Sequence, residues 1–227
     1  MSDKTSHRAL IDYRPWLLAS MVAGIAYYFL WNNPIAGVWL IALKGASVGL
    51  LAIYALRRAP GLDGVILFIA LGLSAAADMV LEISFEVGGG LFFASHLVAV
   101  ILYVRNPRPQ PAASQMACAG ALAIGTPVIA YLISQRLDIA LYSTALGAMA
   151  AAAWMSRFPR YRVGLGAVLF IVSDWLIFSR FGPLDLAPLP DILIWPTYFA
   201  AQVMIATGVV QTLRADREAP NAYAPRT

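Results

Sequence analysis

Apolar residues dominate this chain in eight separate blocks, each about as long as a membrane-crossing helix. Helices of about 20 residues cross a hydrocarbon layer about 30 Å thick. Short segments rich in arginine, glycine and proline separate the blocks, and such short connections make sequential helices antiparallel neighbours. The pattern predicts an all-α membrane protein, a bundle of about eight transmembrane helices. The blocks cover residues 15–31, 35–56, 62–83, 88–104, 114–134, 138–156, 163–180 and 190–213.

The composition excludes a soluble domain. Of the 227 residues, 60% are hydrophobic and only 12% are charged, and the mean hydropathy is +0.72. A soluble domain carries about 25% charged residues. We therefore expect one integral membrane domain over residues 15–213, between polar tails at 1–14 and 214–227. The N-terminal tail lacks the order of regions found in a signal peptide, so the first block is expected to be a retained helix.

The basic residues alternate between the connections. One set of connections, together with the two tails, carries most of them, whereas the alternate set carries Arg136 and Arg180. Because cytoplasmic loops are enriched in lysine and arginine, this bias predicts that both termini are cytoplasmic, in the cell (inner) membrane. The net charge is +4, but the charges form short separate clusters rather than one continuous basic face. Nucleic acid is therefore excluded as a partner.

Polar and ionisable side chains interrupt five of the blocks. At 1.5 Å per residue, they all fall between the middle of the membrane and the end with few arginines. A charge at that depth costs about 3 kcal/mol or more unless it is paired or faces a cavity. Polar groups from five helices in one layer therefore indicate a shared polar cavity. These residues are Lys44, Asp78, Glu82, His96, Asp174, Tyr198 and Gln202.

The third block adds a regular polar pattern. Ser74, Asp78, Glu82 and Glu86 follow at intervals of four residues, which places them in a nearly straight stripe on one helix face. Such a stripe would line a polar path from the outer surface down to Asp78.

Each of these residues also has a simpler interpretation. A buried lysine can pair with an aspartate to hold helices together, and other polar side chains reach the interface or bond between helices. These simpler roles are Lys44 paired with an aspartate, Glu82 at the interface, His96 as an interior hydrogen-bonded histidine, Trp195 as an interfacial aromatic, and Gln202 as a link between helices. Two aspartates, a lysine and a histidine at one level still favour a functional site.

Sequence motifs narrow the chemistry further. The chain has two histidines and no HExxH or CxxC spacing, so we expect no metal and no other cofactor. A serine hydrolase is disfavoured because His96 would have to serve as its only base. Cys118 is the single cysteine, so no intrachain disulfide can form. The paired carboxylates Asp78 and Asp174 remain as the best candidate chemistry.

Four segments together resemble the YhhN-like lysoplasmalogenase family. They are GLSAAADMVLE in the third block, GGLFFASH in the fourth, GAVLFIVSDWLIFSRF in the seventh and YFAAQVMIATG in the eighth. The resemblance runs in order from Lys44 to the end of the eighth block, and its most specific parts are LFxxSD and YxxAQ. It implies a multi-pass membrane enzyme that cleaves the vinyl-ether bond of a lysolipid substrate.

By position, Asp78 and Asp174 correspond to the family's two aspartates, and the resemblance implies that they are catalytic. The candidate substrate-binding residues are Lys44, Ser74, Glu82, His96, Ser173, Tyr198 and Gln202. The chain departs from the family at three positions. Gly45 replaces a proline after the lysine, Ala77 replaces a glycine before the aspartate, and Ala99 replaces a tyrosine that often follows the histidine.

Vinyl ethers are cleaved by acid, and two carboxyl groups that share a site tend to divide into a proton donor and a base. The sequence does not assign Asp78 and Asp174 to these roles. A proton-coupled transporter stays open as an alternative, because buried acids, lysine and histidine also form proton relays, and the third and seventh blocks weakly resemble a parallel repeat. A non-catalytic lipid-binding protein is the third possibility.

Overall fold

The computed structural model describes residues 14–31 and 37–218, and the described chain is all-helical with eight α-helices. The predicted fold class is therefore confirmed. A π-helical turn, Arg160–Gly164, leads directly into the helix Leu165–Phe178, and a 3-10 turn, Ser179–Phe181, follows that helix. The helices are α1 (Pro15–Leu30), α2 (Gly37–Arg58), α3 (Gly61–Val80), α4 (Phe85–Arg105), α5 (Ala113–Ser134), α6 (Leu137–Met155), α7 (Leu165–Phe178) and α8 (Leu189–Glu218).

Seven helical segments of the described chain are long and apolar enough to cross a membrane. They are α2 to α6, the continuous segment Arg160–Phe181 that contains α7, and α8. The apolar helix α1 has 16 residues. At 1.5 Å per residue it spans about 24 Å, less than a typical hydrocarbon layer, so its crossing stays a prediction. The protein is a multi-pass membrane protein.

The predicted stripe on the third helix is wrong beyond Asp78. Helix α3 ends at Val80 rather than at residue 83, so Glu82 lies in the following turn and Glu86 in the first turn of α4. The cause is Ser84, whose extended backbone and Oγ, 3.3 Å from the Val87 amide, cap a new helix. Because the segment between the two helices is itself apolar, hydropathy does not reveal the break.

The C-terminal boundary also differs from the prediction. Helix α8 continues to Glu218 instead of ending at residue 213, and an Arg214–Glu218 ion pair of 3.1 Å supports its last turn. The first proline after residue 213 is Pro220, seven positions beyond the predicted end of the helix. A proline disfavours the continuation of a helix, and none lies between residue 213 and Pro220 to end α8 earlier. Residues 1–13, 32–36 and 219–227, which include most of both predicted tails, lie outside the described residues.

Six helices pack in a closed order around a common core. Helices α2, α3, α4, α6, α7 and α8 each contact the next, and α8 returns to α2. Helix α1 packs outside against α2 and α8, and α5 packs outside against α6 and α7. The shared core is built from large side chains that are almost completely buried, including Leu51, Leu71, Tyr103, Met149 and Ile171. Helix α8 also contacts α3, so both α3 and α7 pack against it.

Basic residues separate between the two ends of the bundle. At one end, two ion pairs join residues that are distant in sequence: Arg105 with Asp63 at 3.0 Å, and Arg157 with Asp216 at 2.6 Å. We call this the arginine-rich end. Arg136 and Arg180 lie at the opposite, arginine-poor end, before α6 and after α7. Which end faces the cytoplasm stays a prediction.

Candidate active site

A cavity of about 240 Å³ lies among α1, α2, α3, α7 and α8, towards the arginine-poor end. We call it the central cavity. Asp78 of α3 and Asp174 of α7 both line it. The other polar residues predicted from the sequence that line it are Lys44 of α2, Glu82 of the turn after α3, and Tyr198 of α8. Five side chains chosen from the sequence by their depth thus meet around one space. Their chemical roles stay predictions.

Asp78 is held from the side of α8. Its side chain is almost completely buried, and the Tyr198 hydroxyl donates to its Oδ2 at 2.6 Å. The Nε2 of Gln202, one helical turn further along α8, donates to the same tyrosine oxygen at 3.1 Å. The geometry of Asp78 therefore depends on two polar residues of the YxxAQ segment.

Asp174 is held in the same way by a different pair. It is also almost completely buried, and the Tyr142 hydroxyl of α6 donates to its Oδ2 at 2.8 Å. The Nε2 of His96 lies 3.0 Å from that hydroxyl. Because a phenol has one proton, and Tyr142 gives it to Asp174, we assign the donor in the second bond to His96 Nε2–H. Each aspartate thus accepts from a tyrosine that accepts from a further side chain.

Aromatic rings separate these two hydrogen-bonded chains. The Phe170 ring of α7 meets Tyr198 with a centroid distance of 5.1 Å and His96 with a centroid distance of 5.0 Å, both edge to face. Phe92 of α4 makes a similar contact with Tyr198 at 5.8 Å. Apolar rings around buried hydrogen bonds keep the local dielectric low, which strengthens these bonds.

Lys44 pairs with Glu82, not with an aspartate as the simpler interpretation had it. The Nζ to Oε1 distance is 2.6 Å, and the side chains of Lys44 and Glu82 are 14% and 41% exposed. The end of α3 at Val80 explains the choice of partner, because it places Glu82 in a turn beside α2. Lys44 also lies 5.8 Å from the centroid of the Tyr27 ring of α1.

Three candidate substrate-binding residues lie behind the wall of the central cavity. Ser74, His96 and Gln202 line a separate cavity of about 20 Å³ instead. A space of that size holds one water molecule. Tyr103 also lines it, and its buried hydroxyl oxygen has no hydrogen-bond partner within the described ranges. The stripe therefore does not continue from the central cavity to Ser74.

Ser173, another candidate substrate-binding residue, does not line the central cavity. It is fully buried, and its Oγ donates to the carbonyl oxygen of Phe170 at 2.7 Å. The same Oγ lies 3.4 Å from Asp174 Oδ1. The serine of the LFxxSD segment therefore bonds within its own helix, beside the aspartate.

The structure offers no obvious metal centre in the part of the chain that it describes. Within residues 14–31 and 37–218, no three histidine, cysteine or acidic side chains are grouped so that they could hold a metal ion.

Comparison with known proteins places this site in a family. The YhhN family model matches residues 39–209, which contain every candidate site residue. The chain belongs to the YhhN family. Two proteins named lysoplasmalogenase, from Mycobacterium bovis and Mycobacterium tuberculosis, are each 31% identical to it over 202 residues. The matches cover 81% of this chain and 74% of each relative. No solved structure matches.

Tyr142 is the site residue that sequence reasoning missed in this YhhN family member. Many family members are expected to carry a tyrosine three positions after the histidine, where this chain has Ala99. Here Tyr142 of α6 brings a hydroxyl to His96 from another helix. A signal was available, because Tyr142 lies near the start of α6, at the depth of the other polar groups.

Trp195 corrects a second expectation. It is 9% exposed and lines the central cavity, whereas an interfacial aromatic would be largely exposed. Its Nε1 donates to the carbonyl oxygen of Gly24 at 2.9 Å, which joins α8 to α1. Trp195 therefore forms part of the cavity wall.

One further segment of this YhhN family member has the spacing of a nucleophile motif. Residues 45–49 read GASVG, which matches GxSxG. In hydrolases this motif makes a sharp turn between a strand and a helix, whereas here it lies within α2. Ser47 is fully buried and donates to the carbonyl oxygen of Lys44 at 2.6 Å. The structure therefore excludes Ser47 as an exposed nucleophile.

Proposed function

We propose that this protein is an intramembrane hydrolase of the cell (inner) membrane that cleaves the vinyl-ether bond of lysoplasmalogen-type lysophospholipids. The products are a fatty aldehyde and a glycerophospho head group. The observation that carries the proposal is that Asp78 and Asp174, from two different helices, line one cavity and are each held by a tyrosine. The name of the two mycobacterial relatives points to the same bond.

The chemistry requires two carboxyl groups in different protonation states. Protonation of the vinyl carbon next to the alkyl chain gives an oxocarbenium ion, water adds to it, and the hemiacetal then breaks down. One neutral acid gives the proton, and one carboxylate stabilises the positive charge and activates water. Burial and a nearby second carboxylate favour this division in general. Water is the only co-reactant, so the reaction needs no cofactor.

Two of the charged side chains on the wall of the central cavity are cations that can bind a phosphate-bearing head group. Lys44 and Arg180 both line it, and each is paired with an acid, Glu82 at 2.6 Å and Asp191 at 2.5 Å. A phosphate can exchange for a carboxylate at such cations because both are oxyanions. We therefore propose that a lipid is the substrate of this protein as well as its surroundings.

The alternative function is a proton-coupled transporter. The chain from His96 through Tyr142 to Asp174 favours it, because such chains also carry protons in transporters. The location of the central cavity supports the hydrolase instead. The residues that line it belong to the halves of the helices near the arginine-poor end, so the cavity does not extend as a path through the bundle.

One experiment separates these functions. Purified protein is incubated with vinyl-ether, alkyl-ether and ester lysophospholipids, and aldehyde and free fatty acid are both measured. The hydrolase predicts aldehyde from the vinyl ether alone. Asp78→Asn and Asp174→Asn are expected to abolish it while remaining folded, and Asp216→Asn at the arginine-rich end is the matched control. Proton flux in proteoliposomes without lipid turnover would favour the transporter, and binding without either would favour a lipid-binding protein.

A further inference from the structure

A second, larger cavity of about 510 Å³ lies beside the central cavity, between α4 and α6. We call it the α4–α6 groove. Its walls are mostly apolar, with Phe93 on one side and Ile139 and Leu141 on the other. Asp174 lines both the groove and the central cavity, whereas Asp78 lines only the central cavity. The two spaces therefore meet at Asp174.

Two consecutive glycines widen the groove. A Cβ atom added at Gly89 or Gly90 would have no neighbour within 4 Å, so no packing contact requires either residue to be small. A glycine inside a helix costs about 1 kcal/mol relative to alanine. Both line the groove, and Gly90 is exposed on the outer surface of the bundle. Leu141 across the groove is 60% exposed, so the groove is open towards the lipid.

We propose that the α4–α6 groove binds the hydrocarbon chain of the lysolipid, which enters sideways from the bilayer, so that the chain-side vinyl carbon meets Asp174 and the ether oxygen points towards Asp78. The proposal rests on the proposed function and deepens it. A single-chain lipid has an apolar and a charged part, and the two spaces offer a matching pair. The apolar groove lies on one side of Asp174, and Lys44 and Arg180 lie on the other, in the central cavity.

This orientation assigns the two acids. Asp174 in its neutral form gives its proton to the chain-side vinyl carbon, which leaves an oxocarbenium ion. Asp78 takes a proton from water as the water oxygen bonds to the other vinyl carbon, giving a hemiacetal. The carbon–oxygen bond to the glycerol then breaks: Asp78 returns its proton to the departing oxygen, and Asp174 regains one from the hemiacetal hydroxyl. The sum is vinyl ether plus water to aldehyde plus alcohol.

The first test fills the groove. Gly90→Phe places a ring where the chain would lie, and Gly120→Phe is the matched control, since Gly120 also has open space around it but lies on α5. We expect Gly90→Phe to lower the ratio of kcat/KM for long-chain over short-chain vinyl-ether lysolipids by roughly tenfold or more. Gly120→Phe should leave the ratio as in the wild type. An unchanged ratio in Gly90→Phe would overturn the proposal.

The second test needs no turnover and so distinguishes failure of the groove from failure of the hydrolase. The probe is a saturated 1-O-alkyl lysophospholipid with a photoreactive diazirine at the end of its chain. We expect cross-links on α4 around Gly89 and Gly90 and on α6 around Leu141, and an excess of the unlabelled lipid should remove them. Cross-links that resist competition, or that lie on other helices, would overturn the groove even if hydrolysis is observed.

The third test addresses the assignment of the acids. Azide is a nucleophile that needs no general base, so it can replace activated water but cannot supply the missing proton donor. Added azide is expected to restore consumption of the vinyl ether at least about tenfold in Asp78→Asn and not in Asp174→Asn. Restoration in Asp174→Asn alone would overturn the proposed orientation.

Discussion

The hydroxyl of Tyr142 donates a hydrogen bond of 2.8 Å to Oδ2 of Asp174, and it reaches this aspartate from a different helix, α6. The contact matters because the two aspartates have parallel surroundings. Tyr198 bonds Asp78 at 2.6 Å in the same way. Each tyrosine therefore sets the position of a carboxyl group and withdraws one of its oxygens from solvent.

Loss of the Tyr142 hydroxyl should lower activity. Tyr142→Phe keeps the ring but removes a hydrogen bond to Asp174, which strengthens to about 1.5–3 kcal/mol as Asp174 gives up its proton and becomes a carboxylate. We expect kcat for the vinyl-ether lysolipid to fall about 10- to 100-fold. Tyr131→Phe on α5, where the residue is 45% exposed, is the control. Wild-type kcat in Tyr142→Phe would show that the tyrosine does not position Asp174.

Replacing Lys44 and replacing Glu82 should lower the stability of the protein by different amounts. Lys44 is the more buried partner, with its side chain 14% exposed against 41% for Glu82. Leaving the lysine without a partner therefore costs more free energy than leaving the glutamate without one. Glu82→Met should therefore lower the free energy of unfolding by about 1–2 kcal/mol, and Lys44→Met by less. The double variant should be more stable than Glu82→Met alone. Thermal unfolding of the wild type, the two single variants and the double variant in detergent measures these differences. If the stability losses of the single variants simply add in the double variant, the two residues do not interact directly.

Close packing of α5 on α6 makes a specific glycine necessary. A Cβ atom at Gly147 would lie 2.9 Å from the carbonyl oxygen of Leu122, which is backbone and cannot rotate away. Gly147→Ala should therefore lower stability by about 1–3 kcal/mol. Gly120→Ala makes the same change where no atom lies within 4 Å, and it should not destabilise the protein. Equal unfolding midpoints for the two variants would contradict the packing.

The orientation of the bundle follows from the separation of arginines. We expect the arginine-rich end to be cytoplasmic. With Cys118 replaced by alanine, a cysteine at Leu184, exposed at the arginine-poor end, should react with a membrane-impermeant maleimide in intact cells. A cysteine at Gln110, exposed at the other end, should react only after the cells are permeabilised. The reverse labelling would show that the arginine-rich end faces outward.

Hydropathy predicted the helices because the backbone of a chain in lipid must satisfy its own hydrogen bonds, which leaves few alternatives to a helix. It failed at the end of α3, where an apolar segment hides the cap at Ser84. The depth argument identified Asp78 and Asp174, because depth depends only on position along a helix. It could not predict that His96 lines the separate small cavity instead of the central cavity. Which side of a helix faces a cavity depends on how the helix packs against its neighbours.

Packing between distant segments explains the other differences. The partner of Lys44 depends on where a turn places Glu82, and the partner of Asp174 depends on the contact of α6 with α7. Neither is encoded in the local sequence around the residue that it affects. Trp195 was misjudged for the same reason, because its indole is covered by α1, which is distant in sequence.

The central claim is that Asp78 and Asp174 act together on one molecule in one cavity. A cycle of Asp78→Asn, Asp174→Asn and the double variant tests it most directly, with kcat/KM for aldehyde release from a vinyl-ether lysolipid as the readout. Residues that act as a unit are strongly non-additive. We predict that each single variant loses almost all activity and that the double variant is scarcely worse than either. Losses that multiply independently, or wild-type turnover in one single variant, would contradict the claim.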